Sequence, residues 1–173
     1  REVFQQELKE VQERLVEIAS DVTRIMQSAS HSFTKSDVAL ADQAISHAES
    51  IGEKALALDE LVIRILARQS PVARDLRILV SALRISASLE RMGALAGHIA
   101  QIARFRYPGS AIPESLRATF VEMGVLDLAL ANKIVKLLAD PDVDVARSIQ
   151  AEDERVDELH RHVFDTVLGD DWK

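Results

Sequence analysis

Apolar residues recur along this chain at alternating intervals of three and four positions, with polar and charged residues between them. One such stripe falls at positions 4, 8, 11, 15, 18, 22, 25, 29 and 33, and another at 41, 45, 48, 51, 55, 58, 62 and 65. This spacing is typical of bundle helices, because it places the apolar side chains on one face. The pattern predicts two long helices, the second capped by Ser36.

The stretch 67–106 predicts a third helix that is apolar on two sides. Ser70 is suited to its N-cap and Pro71 to its first position, where the missing N–H costs nothing. One stripe lies at positions 76, 79, 83, 87, 94 and 97, and another at 82, 85, 89, 92, 96, 99 and 103. Glu90 interrupts the first stripe with a charge, and two glycines one turn apart leave room for a neighbouring backbone. We expect this helix to be buried on two sides and its irregular face to carry function.

Two further helices are predicted after it. The sequence YPGS at 107–110 ends the third helix, a fourth begins near Pro113, and the turn DPD at 140–142 precedes a fifth. Inward-facing positions are expected at 116, 120, 123, 130, 134 and 137, and then at 145, 149, 156, 159, 163 and 167. Aromatic residues make up only 4% of the chain, and Gly and Pro are few. Pattern and composition together predict an all-α fold.

The helices repeat at a fixed interval. A shift of 105 positions lays Asp37 on Asp142 and Leu15 on Phe120, so that helices one and two are echoed by helices four and five. This repeat predicts tandem antiparallel three-helix bundles. Residues 1–106 form the first repeat, and residues 107–173 form an incomplete second repeat with two of its three helices.

The repeat also predicts a sixth helix, which would begin near position 176 and is missing from the 173 residues. Without it, the fourth and fifth helices are covered only by each other and by the outer face of the third. Apolar patches beyond a few hundred Å² are rare on soluble monomers. We therefore expect the missing helix, or a second copy of the chain in a homodimer, to cover the groove between helices four and five.

Charge is distributed unevenly. Residues 1–106 carry 14 acidic and 14 basic side chains, so the net charge of −7 lies entirely in residues 107–173. An acidic half opposes nucleic-acid binding, which needs exposed cations to neutralise phosphates. The absence of cysteine fits a reducing cytoplasm, and no apolar run approaches the ~20 residues of a membrane-spanning helix. We expect a cytoplasmic protein that binds no nucleic acid and reaches a membrane only through partner proteins.

Basic residues cluster around the junction of the second and third helices. Such a cluster could meet an acidic partner, or it could be an ordinary solvated corner, as charged runs usually are. The sequence does not distinguish a partner-binding surface from a solvated corner. The cluster comprises Arg64, Arg68, Arg74, Arg77 and Arg84.

Two sets of residues could bind a metal. Glu90 lies on an apolar stripe, where a carboxylate must be protonated, paired or metal-bound, but Ala94 stands where a second carboxylate would complete the site. Asp153, Asp157 and His160 share one face of the fifth helix and could ligate Zn or Fe. The alternatives are an ion pair or a helix cap for Glu90, and an exposed ion pair between Asp157 and a downstream arginine for the other set.

No catalytic constellation is visible in the sequence. A di-iron carboxylate bundle needs two Glu-x-x-His pairs on facing helices, and the chain contains none. It also has no glycine-rich phosphate loop and no nucleophile elbow. We expect a protein that is not an enzyme.

Several segments resemble the PhoU family, including its PhoY subgroup. They are ARQSPVARDLR at 67–77, LERMGALAGHIAQIAR at 89–104 and, more weakly, VDELHRHVF at 156–164. The resemblance implies tandem three-helix bundles and negative regulation of phosphate signalling in the cytoplasm. It also implies two partners, a phosphate-sensing histidine kinase of the membrane and the ATPase of the phosphate transporter.

The resemblance further implies site residues. Several family members bind iron or zinc through an acidic E/D-x-x-x-D motif, in which Glu90 matches the first position and Ala94 departs from the second. Arg91 matches the arginine after that glutamate. Arg74, Asp75 and Arg77 match the entrance of the third helix, and we expect them, with Glu90 and Arg91, to make structural or partner contacts.

Two functional hypotheses follow. The first is a non-enzymatic adaptor that restrains phosphate uptake and phosphate-starvation signalling by contacting the kinase and the transporter ATPase. The alternative is a metal-binding bundle with a storage or redox role. Because the acidic motif is interrupted at Ala94, we expect no firmly held cofactor, with Fe or Zn as the metals to test.

Overall fold

The computed structural model describes residues 2–170 and residue 172. Its helices are α1 (Glu2–Lys35), α2 (Val38–Gln69), α3 (Ala73–Arg106), α4 (Arg117–Ala139) and α5 (Val143–Val167), with a 3-10 turn at Glu114–Leu116 before α4. No strand occurs among the described residues. The prediction of an all-α protein with five long helices is therefore confirmed.

Helices α1, α2 and α3 form an up-down-up bundle in which each helix packs against the other two. The predicted stripes of α1 and α2 supply most of the core, which confirms their registers. The most completely buried large side chains include Ile18, Ile25, Ile51, Leu58, Ile65 and Leu79. An ion pair from Lys54 to Asp21, at 2.5 Å, joins α1 to α2 at the surface of this bundle.

Helix α3 buries one face rather than the two that its sequence predicts. The buried face keeps the three-four spacing but takes members from both predicted stripes, and it consists of Leu79, Ala82, Ser86, Leu89, Gly93, Ala96, Gly97, Ala100 and Ala103. Other apolar positions remain substantially exposed, among them Leu76, Leu95, Ile99 and Ile102. The second apolar side is incompletely covered because α4 packs mainly against α1 and faces α3 only across grooves.

Both predicted caps are shifted. Asp37, not Ser36, is the N-cap of α2, and its carboxylate accepts a hydrogen bond from the backbone N–H of Leu40 at 3.0 Å. Ser70 ends α2 in a left-handed conformation, and Val72 is the N-cap of α3. A serine with φ of 43° ends a helix, whereas an N-cap requires extended backbone. The predicted roles of Ser70 and Pro71 in starting α3 are therefore wrong.

Helix α4 lies antiparallel to α1. At one end the side chain of Gln12 donates to the carbonyl oxygens of Leu138 and Ala139, the last turn of α4. Near the other end the rings of Phe33 and Phe120 meet edge to face, with centroids 5.6 Å apart. The main cover of α4 is therefore α1, and the outer face of α3, expected to cover α4, meets it only across grooves.

Helix α5 packs on α4 and is far more open than α2. Leu159 is its one buried residue among those described. Arg155 joins the two helices by donating to Glu122, and Lys133 of α4 pairs with Glu152. The division into repeats at 1–106 and 107–173 stays a prediction, as does the sixth helix, which concerns sequence beyond Lys173.

Candidate functional site

The middle of α3 lies close against α2, and two glycines permit the approach. A Cβ atom on Gly97 would stand 2.9 Å from the Cβ of Ala48, closer than side chains tolerate. A Cβ on Gly93 would meet Ile51 at 3.4 Å and Val22 at 3.5 Å. Because the backbones are this close, the middle of α3 is held in a defined position against α2.

Glu90 lies at the edge of this contact. Its side chain is exposed, and its Oε1 would be 3.4 Å from a Cβ on Gly52 of α2. No ion pair to Glu90 occurs among the described residues. The carboxylate is therefore solvated beside a glycine, rather than held by the arginine or the helix terminus that the sequence left open.

The metal motif at Glu90 is not completed in the described structure. Ala94, at the second motif position, is exposed and offers no oxygen, and the neighbouring position on α2 is the glycine just described. Among residues 2–170 and 172, no three His, Asp or Glu side chains come close enough to hold a metal ion. The side chains around Glu90 do not fit an iron or zinc cluster.

The three acidic and imidazole candidates on α5 point into solvent. Asp153, Asp157 and His160 are all exposed. The ring of His160 packs edge to face on Phe164, with centroids 4.9 Å apart. The Nε of Arg161 donates to the backbone oxygen of Asp157 at 3.3 Å instead of pairing with its carboxylate.

The sequence repeat shows what this face of α5 corresponds to. The shift of 105 positions places Asp153, Asp157 and His160 on Ala48, Gly52 and Ala55 of α2. Those three α2 positions form the side that lies against α3, since Ala48 meets Gly97, Gly52 lies next to Glu90, and Ala55 is buried. The α5 candidates therefore occupy the face on which the first repeat packs its third helix.

Asp127 of α4 is a further charged residue on this side, and the sequence analysis missed it. Burial raises its pKa above the ordinary value of 3.8, and the negative charge of Asp153 raises it further. Its counterpart in the first repeat is the fully buried Val22. The sequence feature that could have identified Asp127 is that it is a single charged residue in the apolar stripe between Met123 and Leu130.

An apolar groove of about 340 Å³ runs between α1, α3 and α4. Ile99 and Ile102 of α3 line one wall, and Phe120 and Met123 of α4 line another. Asp127 also lies on the lining. The second apolar side of α3, which the sequence predicted to be buried, forms part of this open groove.

The residues at the entrance of α3 lie on the surface beside the α2–α3 connection. Arg74 and Arg77 are exposed, and Asp75 is half-buried in the first turn, where its negative charge suits the positive end of the helix dipole. Arg91, two turns beyond Arg84, is also exposed. Glu90 and Arg91 thus share one exposed stretch of α3 but do not lie in a common pocket with Arg74.

In the described part of the chain, no helix is both long enough and apolar enough to cross a bilayer.

Comparison with known proteins gives a consistent result. A family model described as the PhoU domain matches residues 15–103. The phosphate-specific transport system accessory protein PhoU homolog 2 of Mycobacterium tuberculosis is 38% identical over 173 residues, which cover all of this chain and 81% of that protein. A PhoU homolog of Rhizobium meliloti is 28% identical over 165 residues, covering 95% of this chain and 69% of that protein.

The fold agrees with the sequence comparison. The crystal structure of PhoU from Pseudomonas aeruginosa superimposes with a TM-score of 0.86 at 25% identity, covering 95% of this chain and 78% of that one. The three-helix bundle α1–α3 contains the whole segment that the family model matches. Sequence and structure together place this chain in the PhoU family.

Proposed function

We propose that this protein is a negative regulator of phosphate uptake and of phosphate-starvation signalling. The observation that carries the proposal is the 38% identity, over the whole chain, to relatives named as accessory proteins of a phosphate-specific transport system. An accessory protein of a transport system must act where the transporter is. The proposed site of action is therefore the cytoplasmic side of the membrane, reached through a partner protein.

The proposed mode of action is that of a non-enzymatic adaptor. The protein contacts the ATPase of the phosphate transporter and a phosphate-sensing histidine kinase, so that abundant phosphate holds both the uptake and the starvation response down. Helices of 34, 32 and 34 residues in the first bundle support this role, because they present extended surfaces to a partner. A homodimer would present each surface twice.

The contact residues proposed for this role lie on α3. Arg74, Asp75 and Arg77 at its entrance, and Glu90 and Arg91 at its middle, are exposed or half-buried. Exposed arginines suit a protein interface, since a guanidinium group can bind a carboxylate through two hydrogen bonds. The proposal assigns these residues to partner binding rather than to the stability of the bundle.

Gene deletion tests the regulatory proposal. Transcripts of phosphate-regulated genes would be measured in cells grown in high phosphate, with and without the gene, and in a deletion strain complemented with the wild-type gene. The deletion is expected to raise these transcripts severalfold and the complemented strain to restore repression. Unchanged transcripts in the deletion strain would remove the support for a regulatory function.

A further inference from the structure

A basic residue followed by an apolar residue recurs every seven positions along α3. The pairs are Arg77-Ile78, Arg84-Ile85, Arg91-Met92 and His98-Ile99. Seven residues are close to two helical turns, so these pairs form two adjacent rows along the helix. We call the row of Arg77, Arg84, Arg91 and His98 the basic stripe, and all four residues are exposed.

The basic stripe lies opposite the buried face of α3. The core of the bundle is reached by the row that includes Leu79, Ser86 and Gly93, two residues after each arginine of the stripe. Two residues correspond to about 200° around a helix. The stripe therefore faces away from α1 and α2, and neither of those helices can cover it.

The three arginines of the stripe differ from those of α1, α4 and α5, and in this respect resemble Arg64 and Arg68 of α2. Every arginine described on α1, α4 and α5 donates to an oxygen of the protein, and these are Arg14, Arg24, Arg117, Arg147, Arg155 and Arg161. Among the described residues, Arg77, Arg84 and Arg91 have neither an ion pair nor a hydrogen-bond acceptor. Their guanidinium donors are therefore available to a partner.

The apolar row beside the stripe is only partly covered. Ile85 and Met92, with Arg84, line a groove of about 310 Å³ whose other wall is α4 at Ile134, Leu137 and Leu138. Ile78 and Ile99 are each 41% exposed, and Ile85 and Met92 are half-buried. Arg77 and Ile78 line a shallow groove of about 640 Å³ on this helix, together with Ser81. A surface that alternates cations with apolar side chains at helical spacing is complementary to a helix with the opposite charges.

We propose that the basic stripe and its apolar row bind an acidic amphipathic helix of a partner protein, laid along α3 over residues 77–99. This rests on the proposed function, because the partner is then the kinase or the transporter ATPase. Carboxylates about two turns apart on the partner helix would accept from Arg77, Arg84 and Arg91, while its apolar side chains cover the row at Ile78 and Ile85.

A helix fits this surface better than a polyanion does. The stripe is a single row beyond its first residues, where Arg74 lies beside Arg77, and Glu90 directly precedes Arg91 in the sequence. Phosphate backbones and anionic bilayers require a broad field of cations. The chain as a whole carries a net charge of −7. A partner that places its carboxylates in a line matches this row of cations.

Binding of purified proteins tests the stripe. The full chain would be titrated into the transporter ATPase and, separately, into the cytoplasmic region of the histidine kinase. The test variant is Arg84→Glu with Arg91→Glu, and the control is Arg147→Glu with Arg161→Glu on α5, which makes the same change in net charge at exposed positions. Circular dichroism and thermal unfolding would establish that both variants retain the fold.

The expected result is that the test variant binds at least one partner ~10-fold or more weakly, as expected for lost charge pairs, whereas the control binds like the wild type. Hydrogen exchange should show protection of residues 77–99 in the wild-type complex. Equal binding by both variants would contradict the proposed role of the basic stripe in partner binding, but would not contradict the proposed regulatory function. Binding of neither protein by the wild type would overturn both proposals.

Two further outcomes would overturn the partner class. Vesicles containing anionic phospholipid could bind the wild type but not the test variant while binding to both proteins is unaffected, which would assign the stripe to a membrane surface. Loss of a wild-type dimer in the test variant, detected by light scattering with partner binding unaffected, would assign it to a second copy of this chain.

Discussion

The two helical hairpins of this chain, α1–α2 and α4–α5, share a sequence pattern but differ in what covers them. In the first hairpin, Val22 and Ala48 face α3 and lie close to its glycines. At the equivalent positions of the second hairpin stand Asp127 and Asp153. The first hairpin is thus closed by a third helix, whereas the second presents partly and fully exposed carboxylates on the same side.

The difference shows that two residues at equivalent positions of the repeat can be buried to different extents. The shift of 105 positions preserves the acidic N-cap and most apolar positions, although α4 and α5, with 23 and 25 residues, are shorter than α1 and α2, with 34 and 32. Burial in the first hairpin comes from a third helix, whereas in the second α4 packs on the outside of α1 and α5 packs on α4. Asp127 is half-buried on this side of α4, and burial together with the charge of Asp153 raises its pKa.

The largest effect is expected from adding a side chain where α2 and α3 are in close contact. Gly97→Leu would force α3 away from Ala48, because the first atom of the new side chain has no room. We expect a loss of about 3 kcal/mol or more in the free energy of unfolding, at the upper end for overpacked sites. Urea denaturation measures it. Ala94→Leu, at an exposed position of the same helix, is the control and should change stability by less than about 0.5 kcal/mol.

A matched valine pair compares the two hairpins directly. Val62 of α2 and Val167 of α5 are equivalent in the repeat, but Val62 is 0% exposed and Val167 is 38% exposed. Val62→Ala should cost about 2 kcal/mol, from lost burial and the cavity left behind. Val167→Ala should cost less than about 0.5 kcal/mol. Equal losses in urea denaturation would mean that α5 is buried as well as α2 is.

Two aspartates should respond to pH with opposite signs. Burial would raise the pKa of Asp21, but hydrogen bonds from Lys54 and Arg24 outweigh it and lower the pKa below 3.8. Asp21 therefore stabilises the fold above pH 3.8, and this contribution is lost as pH falls through its folded-state pKa. Asp127 has a raised pKa, so its charged form destabilises the fold as pH rises above 3.8.

Asparagine variants check these signs. At pH 7, Asp21→Asn should lower the free energy of unfolding by up to about 1 kcal/mol, the usual limit for a surface ion pair, and Asp127→Asn should raise it. Both differences from the wild type should shrink as the pH is lowered past 3.8 towards full protonation. Thermal unfolding across this range measures them, and a destabilised Asp127→Asn at pH 7 would contradict the account of α4.

The smallest expected signal is metal content. Glu90 lies beside a glycine of α2 and has Ala94 in place of a second carboxylate, so no adjacent ligand holds a cation there. We expect the protein purified without chelator to carry less than one Fe or Zn per protomer. Elemental analysis that finds two or more tightly bound metals would contradict this, and Asp153→Asn with Asp157→Asn would then test α5 as their location.

Much of the fold could be predicted from sequence, because the spacing of apolar residues determines which face of a helix is buried. That held for α1 and α2, whose stripes lie in the core. The prediction failed at the α2–α3 connection. Ser70 and Pro71 are residue types that often begin a helix, but here Ser70 has a left-handed backbone conformation and ends α2. Local preference could not show that turn, since it depends on how α3 docks.

The candidate site was predicted less completely. Residue types identified Glu90 and the interruption at Ala94, but only the structure shows that Glu90 lies beside Gly52. Asp127 was missed because one charge in an apolar stripe gains meaning only once its neighbour Asp153 and its burial are known. The open side of α3 was wrongly predicted to be covered, since periodicity shows that a face is apolar but not what packs on it.

Native-state hydrogen exchange tests the central contrast most directly, because it measures the opening free energy of each helix separately. The account predicts that slowly exchanging amides of α1, α2 and α3 open only with global unfolding, while those of α5 exchange through a local opening of markedly lower free energy. The helix α4, held by α1, should fall between them. Equal opening free energies for α2 and α5 would contradict the claim that one hairpin is closed and the other open.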